Sequence, residues 1–234
     1  MAKSLSTAQV LGIRSRTVVL SGEWGECVGE MARHGVVFVW GNSGNGKTTA
    51  VMQLCRELVT GCGMKGLYVS LEEGFSVSMQ NTLRRLSMLE CRSRFQILDS
   101  IDLDTLVERL SKPRSAEFVV IDSIQYMQLT YKQYIALKER FRAKLFILVS
   151  HADGKQPEGR AARAIRYDAG LKIWVEGYKA FSKGRFIGPK AEAVVWRQGA
   201  EEYWGAKKKQ EESPEAEEAE DLEAPDNDTE EWEA

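Results

Sequence analysis

Eight consecutive residues, Gly41-Asn42-Ser43-Gly44-Asn45-Gly46-Lys47-Thr48, concentrate the chemistry of this 234-residue chain. They satisfy the phosphate-binding pattern G-x-x-x-x-G-K-[ST] in full. The three glycines allow a loop tight enough for successive backbone N–H groups to converge on an anion, at the positive end of the helix that follows. Lys47 then reaches the β- and γ-phosphates, the Thr48 hydroxyl offers one ligand to Mg²⁺, and Thr49 closes the binding segment. This is the chemistry of a nucleotide site.

Two carboxylates stand where they would serve such a site. Asp122 ends the apolar run Phe118-Val119-Val120-Ile121, and Glu72 follows the apolar run at residues 66–71, 25 residues beyond Lys47. In a parallel sheet, ligands bind outside the carboxyl ends of the strands, so both carboxylates should meet the loop there. Asp122 would hold the metal, and Glu72 would position and deprotonate an attacking water, with its neighbour Glu73 as the competing candidate. Phosphoryl transfer to water asks for this kind of positioning and charge stabilisation rather than covalent chemistry.

Charge points to a second function. The formal net charge is −2, yet residues 211–234 hold 13 acidic residues and no Lys or Arg, which leaves residues 1–210 at +11. A basic body with an acidic tail suggests a polyanionic partner and a tail that competes with it, or recruits another protein; a solvated surface with a solubilising tail is the plainer reading. Residues 151–190 carry nine Lys/Arg against four Asp/Glu. Lys155, Arg160, Arg163 and Arg166 sit among Gly154 and Gly159, as a flexible phosphate-contacting loop would require. The arginine spacing of three equally fits one solvated helix face.

The elements that must position these groups can be read from periodicity. Val36-Val37-Phe38-Val39-Trp40 is a buried strand, and Val51, Leu54, Cys55 and Leu58 form the stripe of the helix after the loop. Further strands are expected at residues 66–71, 95–98, 118–122 and 145–149, the last ending at Ser150-His151. Helices are expected at residues 76–90, 103–110 and 131–142. This alternation implies a mainly parallel sheet flanked by helices. Residues 152–170 read as a mobile loop leading into a short helix. Three segments within residues 171–197 alternate like antiparallel strands extending the sheet. Residues 1–34 form an N-terminal lead-in with a short strand at 18–20 and a helix at 24–31; residues 35–206 form the core, and 207–234 a disordered acidic tail.

No apolar run approaches the ~20 residues that span a bilayer, and the N-terminus lacks a secretory h-region. A cytoplasmic protein without membrane contact is expected. Cys27, Cys55, Cys62 and Cys91 are scattered, without metal-ligand spacing, and read as buried thiols.

The loop, Glu72 within Tyr68-Val69-Ser70-Leu71-Glu72-Glu73, and Asp122 within Val120-Ile121-Asp122-Ser123-Ile124-Gln125 resemble the RecA-type P-loop ATPase core of RadA, KaiC and the DnaB helicases. The resemblance spans residues 35–187. Its implied substrate is ATP with Mg²⁺. His151 matches the family's polar sensor of the γ-phosphate. Lys183-Gly184-Arg185-Phe186 resembles the basic K-x-R element that RecA-like hexameric rings and filaments insert into a neighbouring ATP site. The loops at residues 123–133, with Tyr126 and Tyr131 for stacking, and 152–169 correspond to those facing DNA. RadA's zinc-finger and protease-like modules have no counterpart in these residues, nor does the helical N-terminal domain of DnaB; compact single-domain relatives among phage recombination and replication proteins are the nearer likeness. The resemblance implies an oligomeric ATPase acting on single-stranded DNA in recombination or replication. The alternative is a KaiC-like switch acting on a protein partner; a kinase sharing the loop is weakened by the lack of an acceptor lid.

Overall fold

The computed structural model describes residues 4–211 of the chain. The acidic segment from residue 212 onward lies outside the described residues.

The lead-in contains α1 (Thr7–Leu11), β1 (Thr17–Val18), α2 (Gly22–Cys27) and β2 (Met31–Ala32), with β1 and β2 paired antiparallel. Trp24, Cys27, Val28 and Met31 are buried in the same apolar cluster as the helix after the nucleotide loop. The helix expected at residues 24–31 stops at Cys27, and Met31 belongs to β2. Val28 is extended, and a Cβ on Gly29 would lie 2.9 Å from the Ile187 carbonyl oxygen, so the chain passes there too closely for a further helical turn.

The core follows as β3 (Gly35–Gly41), α3 (Lys47–Thr60), β4 (Gly66–Ser70), α4 (Val77–Arg85), β5 (Phe95–Leu98), α5 (Leu103–Ser111), β6 (Phe118–Asp122), α6 (Tyr131–Arg140) and β7 (Leu145–Asp153). It continues with β8 (Gln156–Pro157), α7 (Arg160–Asp168), β9 (Leu171–Glu176), β10 (Lys179–Gly184), β11 (Glu192–Val194) and α8 (Arg197–Glu211). The sheet order is β11-β10-β9-β3-β7-β6-β4-β5, parallel from β9 to β5, with β8 hairpinned back onto β7.

Strand alternation sorts the core into two layers. Val37 and Val39 of β3 join Val51, Leu54, Cys55 and Leu58 of α3 on one face. Val36, Phe38 and Trp40 join Leu106 of α5, Tyr134 and Leu137 of α6 and Ile165 of α7 on the other. Burial on both faces explains the unbroken apolar runs of β3, β6 and β7. Three of the four cysteines, Cys27, Cys55 and Cys91, are buried.

Several expectations are corrected. The helix expected at 76–90 ends at Arg85, because Ser87 takes a left-handed φ of 53° and a 3₁₀ turn, Met88–Cys91, follows. The 131–142 helix ends at Arg140. The short helix expected within residues 152–170 is α7, but the segment leading into it is a hairpin: β7 runs on through His151 to Asp153 and turns back into β8 at Gly154. Arg160, Arg163 and Arg166 therefore sit on a helix, the plainer of the two readings of their spacing. The first of the C-terminal strands, β9, is parallel to β3, and only β10 and β11 add antiparallel pairings. The sequence pattern did not suggest α8, whose Ala, Lys, Glu and Gln residues are good helix formers without an apolar stripe; it continues past Lys207 to Glu211.

Candidate functional site

The carboxyl ends of β3, β4, β6 and β7 lie side by side, and the sequence-predicted loop joins β3 to α3 there. The loop's glycines are required by geometry, Gly44 by a φ of 75°. A Cβ on Gly41 would lie 2.2 Å from the Val175 carbonyl oxygen of β9, and Gly46, which N-caps α3, holds φ at 90°. The α3 cap makes no side-chain hydrogen bond, so its first-turn N–H groups are left for another acceptor. Asn45 pins the loop to the β9–β10 turn: its Oδ1 accepts from the Gly177 N–H at 2.7 Å, and its Nδ2 donates to the Ser43 carbonyl at 3.2 Å. Asn42 and Ser43 are exposed at the loop tip, beside Gly44, while Thr48 is half-buried on α3.

Lys47 donates to the Asn42 carbonyl at 3.1 Å, across the mouth of its own loop. Burial pulls its pKa down, against the opposing influence of Glu72 and Asp122. Thr49 accepts a hydrogen bond from Arg85 of α4 at 2.9 Å.

Asp122 shares the α3 face of β6 with Phe118 and Val120, and is buried. Burial raises its pKa to about 6; the Tyr68 hydroxyl, which donates to Asp122 Oδ2, and Lys47 pull the other way, while Glu72 and Glu73 add to the rise. Beside it in register, Ser70 carries a buried hydroxyl oxygen without a hydrogen-bond partner. A buried carboxylate, an orphaned hydroxyl, a lysine and an uncapped helix end form a donor set suited to a phosphate chain and a hard cation. Among the described residues no cluster of three or more His, Cys, Asp or Glu forms a metal cage.

Glu72 is tied to the same strand end by its N–H, 3.3 Å from the Asp122 carbonyl oxygen. Its Oε2 lies 2.7 Å from His151 Nε2, while His151 Nδ1 lies 3.4 Å from Glu158 Oε2 and the imidazole stands edge-on to Tyr126. Gln125 braces this end of β7, donating to Ser150 Oγ at 2.8 Å and accepting from the His151 N–H at 3.4 Å. Glu73 turns elsewhere and accepts from Ser76 Oγ at 3.4 Å.

The structure thus brings together the loop, Lys47, Thr48, Glu72, Asp122 and His151. It does not bring Lys183 or Arg185 to them. Lys183 pairs with Lys172, and Gly184 with Leu171, which in turn pairs with Val37 near the start of β3. From Val37 to Gly41 is roughly 13 Å of strand, so both cations sit at the opposite end of the sheet from their own chain's loop. Two of the basic residues of 152–169 meet Trp40 instead: Lys155 accepts from Trp40 Nε1 through its carbonyl at 3.1 Å, and Arg166 lies 5.2 Å from the Trp40 ring. Arg163 lies 3.7 Å from Asp153, and Arg160 is exposed.

Sequence reasoning missed Tyr68, Ser70, Gln125 and Glu158. Period-two alternation carries a signal for the first two, since Tyr68 and Ser70 must share a face. Glu158 gave none, because its approach to His151 depends on the β7–β8 hairpin.

No model of a known protein family matches the chain, and no curated protein does. Among solved structures, a KaiC-like protein from the hyperthermophilic archaeon Pyrococcus horikoshii OT3 is similar, with a TM-score of 0.55 and 21% identity over 77% of this chain and 99% of that one. At that identity the likeness establishes the fold, a RecA-like P-loop α/β fold.

Proposed function

We propose that this chain is an ATPase that works as an oligomer on single-stranded DNA in recombination or replication. The observation that carries the hydrolytic part is the convergence of Lys47, Glu72 and Asp122 at the carboxyl ends of the parallel strands. The loop N–H groups and Lys47 bind and orient the phosphates of ATP. Thr48 and Asp122 would hold Mg²⁺, which would neutralise phosphate charge. Glu72 takes the proton of the attacking water, and His151 positions that carboxylate and faces the γ-phosphate side of the site.

The oligomeric part is supported by Arg185, which lies too far from its own loop to act there and would act on a neighbouring copy. The single-strand part is supported by the basic residues Lys155, Arg160, Arg163 and Arg166, adjacent to the β7 end that carries His151. A strand bound there would press on the element that holds Glu72, which links binding to turnover.

The test is phosphate release by the full chain with ATP and Mg²⁺, with and without single-stranded DNA. Turnover that rises with DNA agrees with the proposal. Turnover indifferent to DNA, in a chain that binds no strand, would leave an ATP-dependent switch acting on a protein. Absence of turnover under both conditions, with ATP bound, would remove the enzymatic reading.

A further inference from the structure

The sheet extends past β3 into a face that the proposed mechanism does not use. Leu171, Ile173 and Val175 of β9 point to the α3 layer, so Lys172, Trp174 and Glu176 point to the other side. The antiparallel register sets these three directly opposite Lys183, Phe181 and Lys179 of β10. Two lysines directly opposed on one face of a sheet repel, and such pairs are destabilising. Burial lowers the Lys172 pKa, and Arg185 and Arg166 lower it further, while the ammonium donates to the Ala169 carbonyl at 2.7 Å.

The groove over this face has a volume of ≈ 640 Å³. Five of its lining side chains are cationic, Lys155, Arg163, Arg166, Lys172 and Lys183, against one carboxylate, Glu176. That carboxylate is already engaged by the Trp174 indole N–H at 3.1 Å, the Tyr203 hydroxyl at 3.1 Å and the Lys207 ammonium at 3.3 Å. Between the cations runs a row of aromatic rings. Trp40 and Trp174 lie 5.5 Å apart, Trp174 faces Phe181 across the strands, and Phe181 meets Trp204 of α8 at 5.9 Å.

Excess cations ask for an anion, and the half-buried rings of Trp174, Phe181 and Trp204 ask for flat partners. A nucleic acid strand with unpaired bases supplies both along one chain, whereas a duplex hides its base faces and an acidic peptide offers carboxylates without a repeated planar group. We propose that this groove binds a single strand of nucleic acid, its bases stacking on Trp174 and Phe181 and its phosphates lying between Lys172, Lys183 and Arg166. This rests on the reading that the chain acts on single-stranded DNA, and it places the strand on the β9–β10 face rather than only on the β7–β8 hairpin and α7.

The experiment is fluorescence anisotropy of a labelled oligothymidylate with the ATP-bound full chain over a range of salt, for the wild type, Trp174→Ala and Lys172→Gln. Trp174→Ala should weaken binding about tenfold. Lys172→Gln should weaken it and lower the slope of log affinity against log salt by about one. A merely structural role for Lys172, whose ammonium also donates to the Ala169 carbonyl, predicts a lower thermal midpoint with the salt slope unchanged. If the wild type binds and both variants bind equally well, the groove is excluded while the single-strand reading stands. If the wild type binds no oligothymidylate at any salt, both fall. If Trp174→Ala breaks self-association in light scattering and keeps its strand affinity, the face belongs to a second copy of the chain and the proposal is overturned.

Discussion

His151 Nε2 lies 2.7 Å from Glu72 Oε2, joining the ends of β7 and β4 across the strand that carries Asp122. The imidazole holds Glu72 through Oε2, and Glu158 Oε2 lies 3.4 Å from its other nitrogen, Nδ1. The neighbouring Glu73 is turned to the N-cap of α4.

Glu72→Gln should therefore keep ATP affinity and lose turnover by ~10²-fold or more, the usual scale of a removed general base. Lys47→Ala should lose the affinity itself. Glu73→Gln should stay within a few-fold of wild type. Binding of a fluorescent ATP analogue and phosphate release measure the two quantities separately. If Glu73→Gln is the inactive variant, the base has been assigned to the wrong carboxylate.

Asp122 predicts a stability effect of definite sign. Its pKa is raised to about 6 in the folded protein, chiefly by burial, from 3.8 in its ordinary state. Between these values the unfolded chain gives up the proton while the folded chain keeps it, so this group lowers stability progressively as pH rises from 4 to 6, and the loss is complete above 6. Two pKa units correspond to about 3 kcal/mol. Asp122→Asn, which still accepts the Tyr68 hydroxyl, should raise the thermal midpoint at pH 7 by several degrees without nucleotide or Mg²⁺. The gain should vanish near pH 4, and Mg²⁺-dependent turnover should be lost at any pH. A variant less stable than wild type at pH 7 would show that the ionised carboxylate is better satisfied than its burial implies.

The parts of the fold legible in the sequence are those where one local pattern decides the outcome. Residues 118–122 are legible to the residue, because an apolar run ending in a polar position has few alternatives in a sheet buried on both faces; residues 95–98, half-buried at the edge of the sheet, are legible from Phe95, Ile97 and Leu98. The loop was legible because Gly41 and Gly46 are demanded by a close approach and a positive φ. The hairpin at Gly154 was not, since β8 is two residues long and exists only by pairing with the overrun of β7. Nor was α8, which packs through Trp204, donating to the Gly177 carbonyl at 3.1 Å, rather than through a helical stripe. The Glu158–His151–Glu72 chain depends on that hairpin, so the sequence showed two of its members and hid the third.

Arg185 leads to a prediction about assembly. It lies at the end of the sheet away from its own loop, near Asp168, and its backbone N–H donates to the Gly170 carbonyl at 2.9 Å. If it stabilises charge in a neighbouring site, Arg185→Ala and Glu72→Gln should each be inactive alone. Mixed assemblies should then regain a fraction of wild-type turnover, because some interfaces contain both intact residues. Fingers of this kind contribute ~10³-fold or more, so even a small fraction of restored sites stands above background. Co-assembly established by light scattering without any recovery would count against action in trans, and a fully active monomer would end the idea.

The acidic segment from residue 212 onward supplies the last prediction. Its carboxylates are tethered to α8, whose Trp204 and Lys207 pack together, the ammonium 5.0 Å from the indole ring, at the groove over β9 and β10. Tethering gives such a segment a high effective concentration at any basic surface within reach. It should compete with phosphate backbones, and most strongly at low salt, where screening is least. A chain ending at Glu211 should therefore bind single-stranded DNA more tightly than the full chain in low salt, and the two affinities should converge as salt rises. Anisotropy titrations of both forms across one salt series decide this. Equal affinities throughout would show that the segment does not compete for the strand, and would leave it the role of solubilising the protein or recruiting another through Glu230, Glu231 and Trp232.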